Sequence, residues 1–164
     1  KLRPVFAQGG SVTAGNSSQT SDGAAFMLVM SEAKVKELGV EPIARMVSCV
    51  SAGVDPAYMG IGPVAAIPKA LKRAGMSIND ISLIELNEAF AAQSLACIKA
   101  LDLDPSIINP NGGAISMGHP LAATGSRLIL TALNELRRRD QKYAVISACV
   151  GGGQGIASIV ELLK

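Results

Sequence analysis

Five short apolar runs, set apart by helical patterns and glycine-rich loops, constrain the fold of this chain more than any other feature of its sequence. They are Ala24–Met30, Ile43–Ala52, Ile81–Leu86, Tyr143–Cys149 and Ile156–Leu162. Each has the length and apolar character of a strand. Helical segments lie between them. Ser31 is placed to cap a helix that runs to Leu38 and stops at Gly39. A second is expected over Pro63–Ala74, ended by Gly75, with Pro68 positioned to kink or divide it. A third, Ala89–Leu101, is apolar almost all round, the mark of a helix buried on several sides. The fourth, from Pro120 to about Arg138, collects Leu121, Leu128, Ile129, Ala132, Leu133 and Leu136 on one face. Strands alternate with helices, and the last two are joined by the glycine turn Val150–Gly155. The expectation is an α/β fold, a mixed five-stranded sheet with helices on both faces.

At 164 residues the chain is long enough for one domain with its own core. No apolar run approaches the ~20 residues that a membrane span requires. The opening KLRPVFAQGG lacks the apolar stretch of a signal peptide, and without an initiator methionine it is expected to begin inside a longer protein. A net charge of +2, scattered along the chain, argues against a nucleic-acid partner. The cluster Arg137-Arg138-Arg139 suits the last turn of a helix, with a minor role in attracting phosphates as the alternative. Cys49, Cys97 and Cys149 are odd in number and lack metal-ligand spacing, which argues against a zinc site and for free thiols in a reducing, cytosolic setting. With no tryptophan and few aromatic residues, base stacking is not expected either.

Three strand-to-loop junctions carry residues capable of chemistry. Asn87, followed by Glu88, closes the run ISLIEL. Its amide can fix a water or a carbonyl, although on residue type alone a helix cap is the simpler reading. His119, the only histidine, stands before Pro120 after a glycine-rich stretch. A helix N-terminus there favours the neutral imidazole that a base needs; packing in a loop is the alternative. Cys149 ends an apolar strand just before VGGGQG, where backbone N–H groups can converge on an oxyanion. A small buried hydrophobe is the commoner fate of such a cysteine.

Taken in order, NEAF after a strand, GGAISMGHP before a helix and CVGGGQG between the last strands resemble the C-terminal half of thiolases. The opening VTAGNSSQTSDGAA resembles the thiolase segment that lies along the pantetheine of coenzyme A, and VDPAYMGIGP is similar to the family as well. The likeness runs from about Val12 to the end. It implies a thiolase-like half-fold over residues 1–164, with 1–23 as a substrate-binding loop leading into it.

The resemblance also implies roles. His119 assists a nucleophilic cysteine and, with a water held by Asn87, binds a thioester oxygen. Cys149 is the acid/base at the acetyl α-carbon, and the Gly151 N–H helps form a second oxyanion site. Ser18 contacts the pantetheine, with Ser17 and Gln19 nearby. No cofactor is bound permanently, and the substrates are coenzyme A thioesters, in fatty-acid β-oxidation or its biosynthetic reverse. The nucleophile belongs to the N-terminal half of thiolases, and none of the three cysteines here has its context. That half is the implied partner, with a homodimer or homotetramer as the complete enzyme and no membrane. LAATG replaces the usual LGATG or LGCTG, adding a methyl group at Ala122, and NSSQTSDG leans toward the degradative 3-ketoacyl-CoA branch. Ketoacyl synthases share the fold but bring a second histidine and a lysine. The other alternative is a non-catalytic acyl-CoA-binding or assembly module built on the half-fold.

Overall fold

The computed structural model describes residues 2–163. Four strands form one mixed sheet: β1 (Ala44–Gly53), β2 (Leu83–Leu86), β3 (Tyr143–Val150) and β4 (Gln154–Leu162), in the order β1-β4-β3-β2. β4 runs antiparallel to both β1 and β3, while β2 and β3 are parallel. The helices are α1 (Glu32–Leu38), α2 (Gly62–Ala74), α3 (Ala91–Ala100), the single turn α4 (Ala114–Met117) and α5 (Thr124–Arg139).

Alternation along the strands divides the core in two. Ile84, Leu86, Val145, Ala157 and Ile159 pack with Ala66, Ile67, Ala70 and Leu71 of α2 and Cys97 of α3. Leu83, Ala144, Ile146 and Val160 meet Leu128, Ala132, Leu133 and Leu136 of α5 on the other face. Helices therefore cover both faces, as expected. At one end α2 touches the sheet directly: a Cβ on Gly155 would lie 2.1 Å from the Gly62 carbonyl oxygen, so only glycine permits this approach.

The five-stranded expectation is corrected to four. Ala24–Met30 forms no strand because nothing among the described residues offers it a ladder, and an apolar run alone does not make one. Phe26, Leu28 and Val29 are each at least 80% exposed. Ile108 instead makes a single parallel bridge to Ile84 on the outer edge of β2. The Asn109 side chain extends it, accepting from the Leu86 N–H and donating to the Leu86 carbonyl, both at 2.8 Å. An exposed apolar run of this size is a sticky surface. The isolated 164-residue chain is expected to bind a hydrophobic dye or self-associate; a monomeric, dye-silent chain would contradict that.

Three further expectations change in detail. Pro68 leaves α2 unbroken, since it lies on the exposed side where water can replace the lost hydrogen bond. α3 is buried on one side only: Gln93, Ser94 and Cys97 face inward, Gln93 against Gly60, while Leu95 is 64% exposed, so the helix is not enclosed on several sides. α5 begins at Thr124, and Leu121, in the turn before it, is exposed. Arg138 and Arg139 pair with the buried Glu135 at the end of α5. That end is roughly 20 Å from the helix start, too far for a part in chemistry there.

Candidate active site

Two parallel strands deliver the first two functional side chains to one end of the sheet. Leu86 pairs with Ser147, and the Asn87 N–H donates to the Ser147 carbonyl at 2.9 Å. Cys149 follows two residues later. Asn87 and Cys149 thus emerge at the carboxyl ends of parallel strands, where open α/β sheets gather their ligands.

Asn87 is 1% exposed, and neither Oδ1 nor Nδ2 has a hydrogen-bond partner among the described residues. The cap reading fails, for α3 starts after Phe90 and carries no side-chain cap. A buried amide without partners costs on the order of 1–3 kcal/mol unless a water or ligand satisfies it.

The neighbouring Glu88 fastens the next motif in place. One carboxylate oxygen accepts from Asn109 Nδ2 and the other from the Ile115 N–H, each at 3.1 Å. Ile115 lies in α4, and the chain leaves α4 through Gly118 at φ 91°. A Cβ there would stand 2.1 Å from Ser21 Oγ, so glycine is required both by conformation and by space. His119 then donates its backbone N–H to the Gln19 carbonyl at 2.7 Å and bridges Thr20. On its other flank the same loop donates the Ser18 N–H to the Ala89 carbonyl at 3.0 Å, and Ser17 bridges Phe90. Residues 17–20 are therefore laced between the NEAF and GHP motifs. Ser17 Oγ is committed to the Thr13 carbonyl, whereas Gln19 is exposed.

His119 is half-buried, with Nδ1 2.7 Å from Thr124 Oγ1. Its pKa is held below the ordinary value, first by burial and then by the Arg127 guanidinium. Arg127 is half-buried and close enough to act on both His119 and Glu85. Its Nε, Nη1 and Nη2 lack hydrogen-bond partners among the described residues, as do both carboxylate oxygens of fully buried Glu85. Burial pushes Glu85 up to about 7; Arg127 opposes the rise, and Glu135 and Glu88 add to it.

Burial likewise pushes the Cys149 thiol up, with a backbone hydrogen bond opposing and nearby Cys97 adding. A thiol of this kind keeps its proton near neutrality and can serve as an acid. Cys97 itself is fully buried, donating to the Gly60 carbonyl at 3.4 Å. Gly151 is exposed in the turn between β3 and β4. Cys49 lies on β1, in contact with Ser158, away from these groups.

Comparison with known proteins gives the arrangement its context. The family model for the thiolase C-terminal domain matches residues 40–162. The chain belongs to the thiolase family. The thiolase N-terminal domain matches residues 1–33, the part that includes the unpaired run Ala24–Met30. A mitochondrial 3-ketoacyl-CoA thiolase of Bos taurus is 57% identical over 161 residues, and an acetyl-CoA acetyltransferase of Allochromatium vinosum 53% identical over 161 residues. Each alignment covers 98% of this chain and 41% of the relative, so the chain spans about two-fifths of these thiolases. Among solved structures, the acetyl-CoA acetyltransferase of Bacillus anthracis superposes with a TM-score of 0.95 at 49% identity, covering 99% of this chain and 41% of that one. Human mitochondrial 3-ketoacyl-CoA thiolase in complex with CoA gives 0.90 at 51% identity, covering 100% and 42%.

Four residues at the candidate site escaped the sequence reading. Glu88 was noticed only as the neighbour of Asn87, and Asn109, Thr124 and Arg127 drew no attention. Only Asn109 had a local signal, its place beside a proline before a glycine pair. Glu88 and Arg127 act on partners distant in sequence, and Thr124, only five residues after His119, gave no residue-type signal of its own.

Proposed function

We propose that these residues are the C-terminal part of a thiolase that cleaves 3-ketoacyl-CoA thiolytically and runs acyl transfer between coenzyme A thioesters. What carries the reading is the lacing of residues 17–20 between Ala89–Phe90 and His119, beside the unpartnered Asn87 amide. One substrate-lining loop thereby meets the motifs expected to act on the substrate.

In this reading a nucleophilic cysteine outside these 164 residues loses its proton to His119 Nε2 and attacks the 3-keto carbon. The bond between the keto carbon and the α-carbon breaks, and its electron pair passes to the α-carbon as the enolate of acetyl-CoA. His119, now an imidazolium, and a water on Asn87 stabilise the enolate oxygen. Cys149 returns a proton to the α-carbon, and its raised pKa supports that duty. Coenzyme A then takes the acyl group from the cysteine, its thiol proton passing to the Cys149 thiolate while the departing cysteine thiolate recovers its proton from His119, with the Gly151 N–H assisting at the acyl oxygen. Ser18, Gln19 and, within its committed geometry, Ser17 line the pantetheine. No resident cofactor is invoked.

The finer assignments are also proposals. The degradative branch is supported by NSSQTSDG, and a cytoplasmic setting by three cysteines that are free thiols. No helix among the described residues is long and apolar enough to cross a membrane. Ala24–Met30 would pair with the sheet of the N-terminal domain, which supports that domain as partner; a homodimer or homotetramer of the complete enzyme follows from the family.

The test is an assay with a 3-ketoacyl-CoA and free coenzyme A, following acetyl-CoA. The 164 residues alone are expected to be inactive, and the same residues joined to a thiolase N-terminal domain active. Turnover by the isolated chain would overturn the division of labour. A complete protein that binds acyl-CoA without turnover would instead establish the binding-module reading.

A further inference from the structure

His119 has one ring nitrogen engaged and one free. Nδ1 lies 2.7 Å from Thr124 Oγ1, while Nε2 has no partner among the described residues. Thr124 is 3% exposed at the first position of α5, and its hydroxyl also stands 3.1 Å from the Pro120 carbonyl oxygen. A threonine hydroxyl carries one hydrogen. If that hydrogen pointed at Nδ1, hydroxyl and carbonyl oxygens would face each other with nothing between them. If it points at Pro120, both contacts become hydrogen bonds: Nδ1–H to Oγ1, and Oγ1–H to the carbonyl. The second arrangement satisfies every short contact.

We propose that Thr124 is a positioning residue that locks His119 as the Nδ1–H tautomer, leaving a bare, directed lone pair on Nε2. The inference rests on the thiolase reading for its purpose but not for its test. In that chemistry Nε2 must first accept a proton and then, as N–H, donate to an oxyanion. Both acts use one nitrogen only if the other is permanently the donor to the protein. A hydroxyl suits this better than a carboxylate, because it fixes the tautomer without adding a negative charge that would hold the imidazolium.

The ring's chemistry can be read directly, because His119 is the only histidine among the 164 residues. In a nitrogen-15-labelled sample, at a pH where the ring is neutral, long-range proton–nitrogen correlations give one set of ring signals. The wild type is expected to show Nδ1 protonated and Nε2 bare. Thr124→Val, which keeps the shape and removes the hydroxyl, is expected to move the ring toward the Nε2–H form, and Thr124→Ser to restore the wild-type pattern. In a complete enzyme Thr124→Val should lower kcat on the order of 10–100-fold, by analogy with the partners that orient metal-bound histidines. KM should change little, and Thr124→Ser should recover most of the rate.

A wild-type ring protonated on Nε2 would overturn the proposal, and that result needs no variant to fold. So would an unchanged tautomer in a Thr124→Val chain whose amide spectrum is intact. The expected tautomers in a complete protein without turnover would leave the lock standing and sink the proposed reaction instead.

Discussion

In a complete enzyme carrying these residues, His119→Ala and Cys149→Ala are expected to fail in different assays. If His119 activates the nucleophile, its loss slows acylation itself. If Cys149 handles only the α-proton, its loss leaves acyl transfer from a simple acyl-CoA largely intact and abolishes exchange of the acetyl α-hydrogens with heavy water. Removing one positioned acid or base typically costs on the order of 10²–10⁴ in rate. The structure gives the two groups suitably different settings. The imidazole pKa is lowered toward the neutral base, whereas the thiol pKa is raised toward a retained proton. Burst kinetics of acylation and α-hydrogen exchange by proton NMR separate the steps. Rapid exchange surviving in Cys149→Ala would return Cys149 to the role of a packed thiol before a glycine turn.

Glu85→Gln is expected to flatten the pH dependence of stability between about pH 4.5 and 7. Folding moves this carboxyl from an ordinary value of 4.5 to about 7, mainly through burial. Across that window the folded chain binds more protons than the unfolded one, so stability falls as pH rises. The stabilising contribution is fully present below pH 4.5 and is lost as pH passes the folded value of about 7. The difference corresponds to ~3 kcal/mol. Glu135, held down to about 2 chiefly by Arg138, titrates below this window. The lowered His119 works in the opposite direction but is common to both chains, and so cancels in the comparison. Urea denaturation at a series of pH values measures the effect, and parallel curves for wild type and variant would refute it. The same charge bears on the site, since Arg127 both opposes the rise of Glu85 and lowers His119.

What was legible in the sequence was whatever a few neighbouring residues decide together. Ser31 accepts from the Lys34 N–H at the start of α1, and Gly39 and Gly75 end their helices in the left-handed conformation. Such signals act within one helical turn, so sequence suffices to read them. Short apolar runs placed β1, β2, β3 and β4 to within a few residues, and the chain order of NEAF, GHP and CVGGGQG carried the family resemblance.

Partnership was not legible. Ala24–Met30 has the composition of a strand but no neighbour here, and a ladder requires two chains of donors and acceptors. Asn87 looked like a cap, yet its amide is buried and unpartnered because α3 starts too late to use it. Glu88 reaches Ile115 across 27 residues of sequence, and Asn109 reaches Leu86 across 23. α3 reads as apolar all round, but which side faces inward depends on Gly60, whose missing side chain makes room for Gln93. The sequence by itself determined four of the five expected strands, the glycine stops of two helices and the family of the chain. The tertiary structure alone decided which side chains meet, because hydrogen bonds and close contacts form between segments whose separation along the chain sets no distance between them.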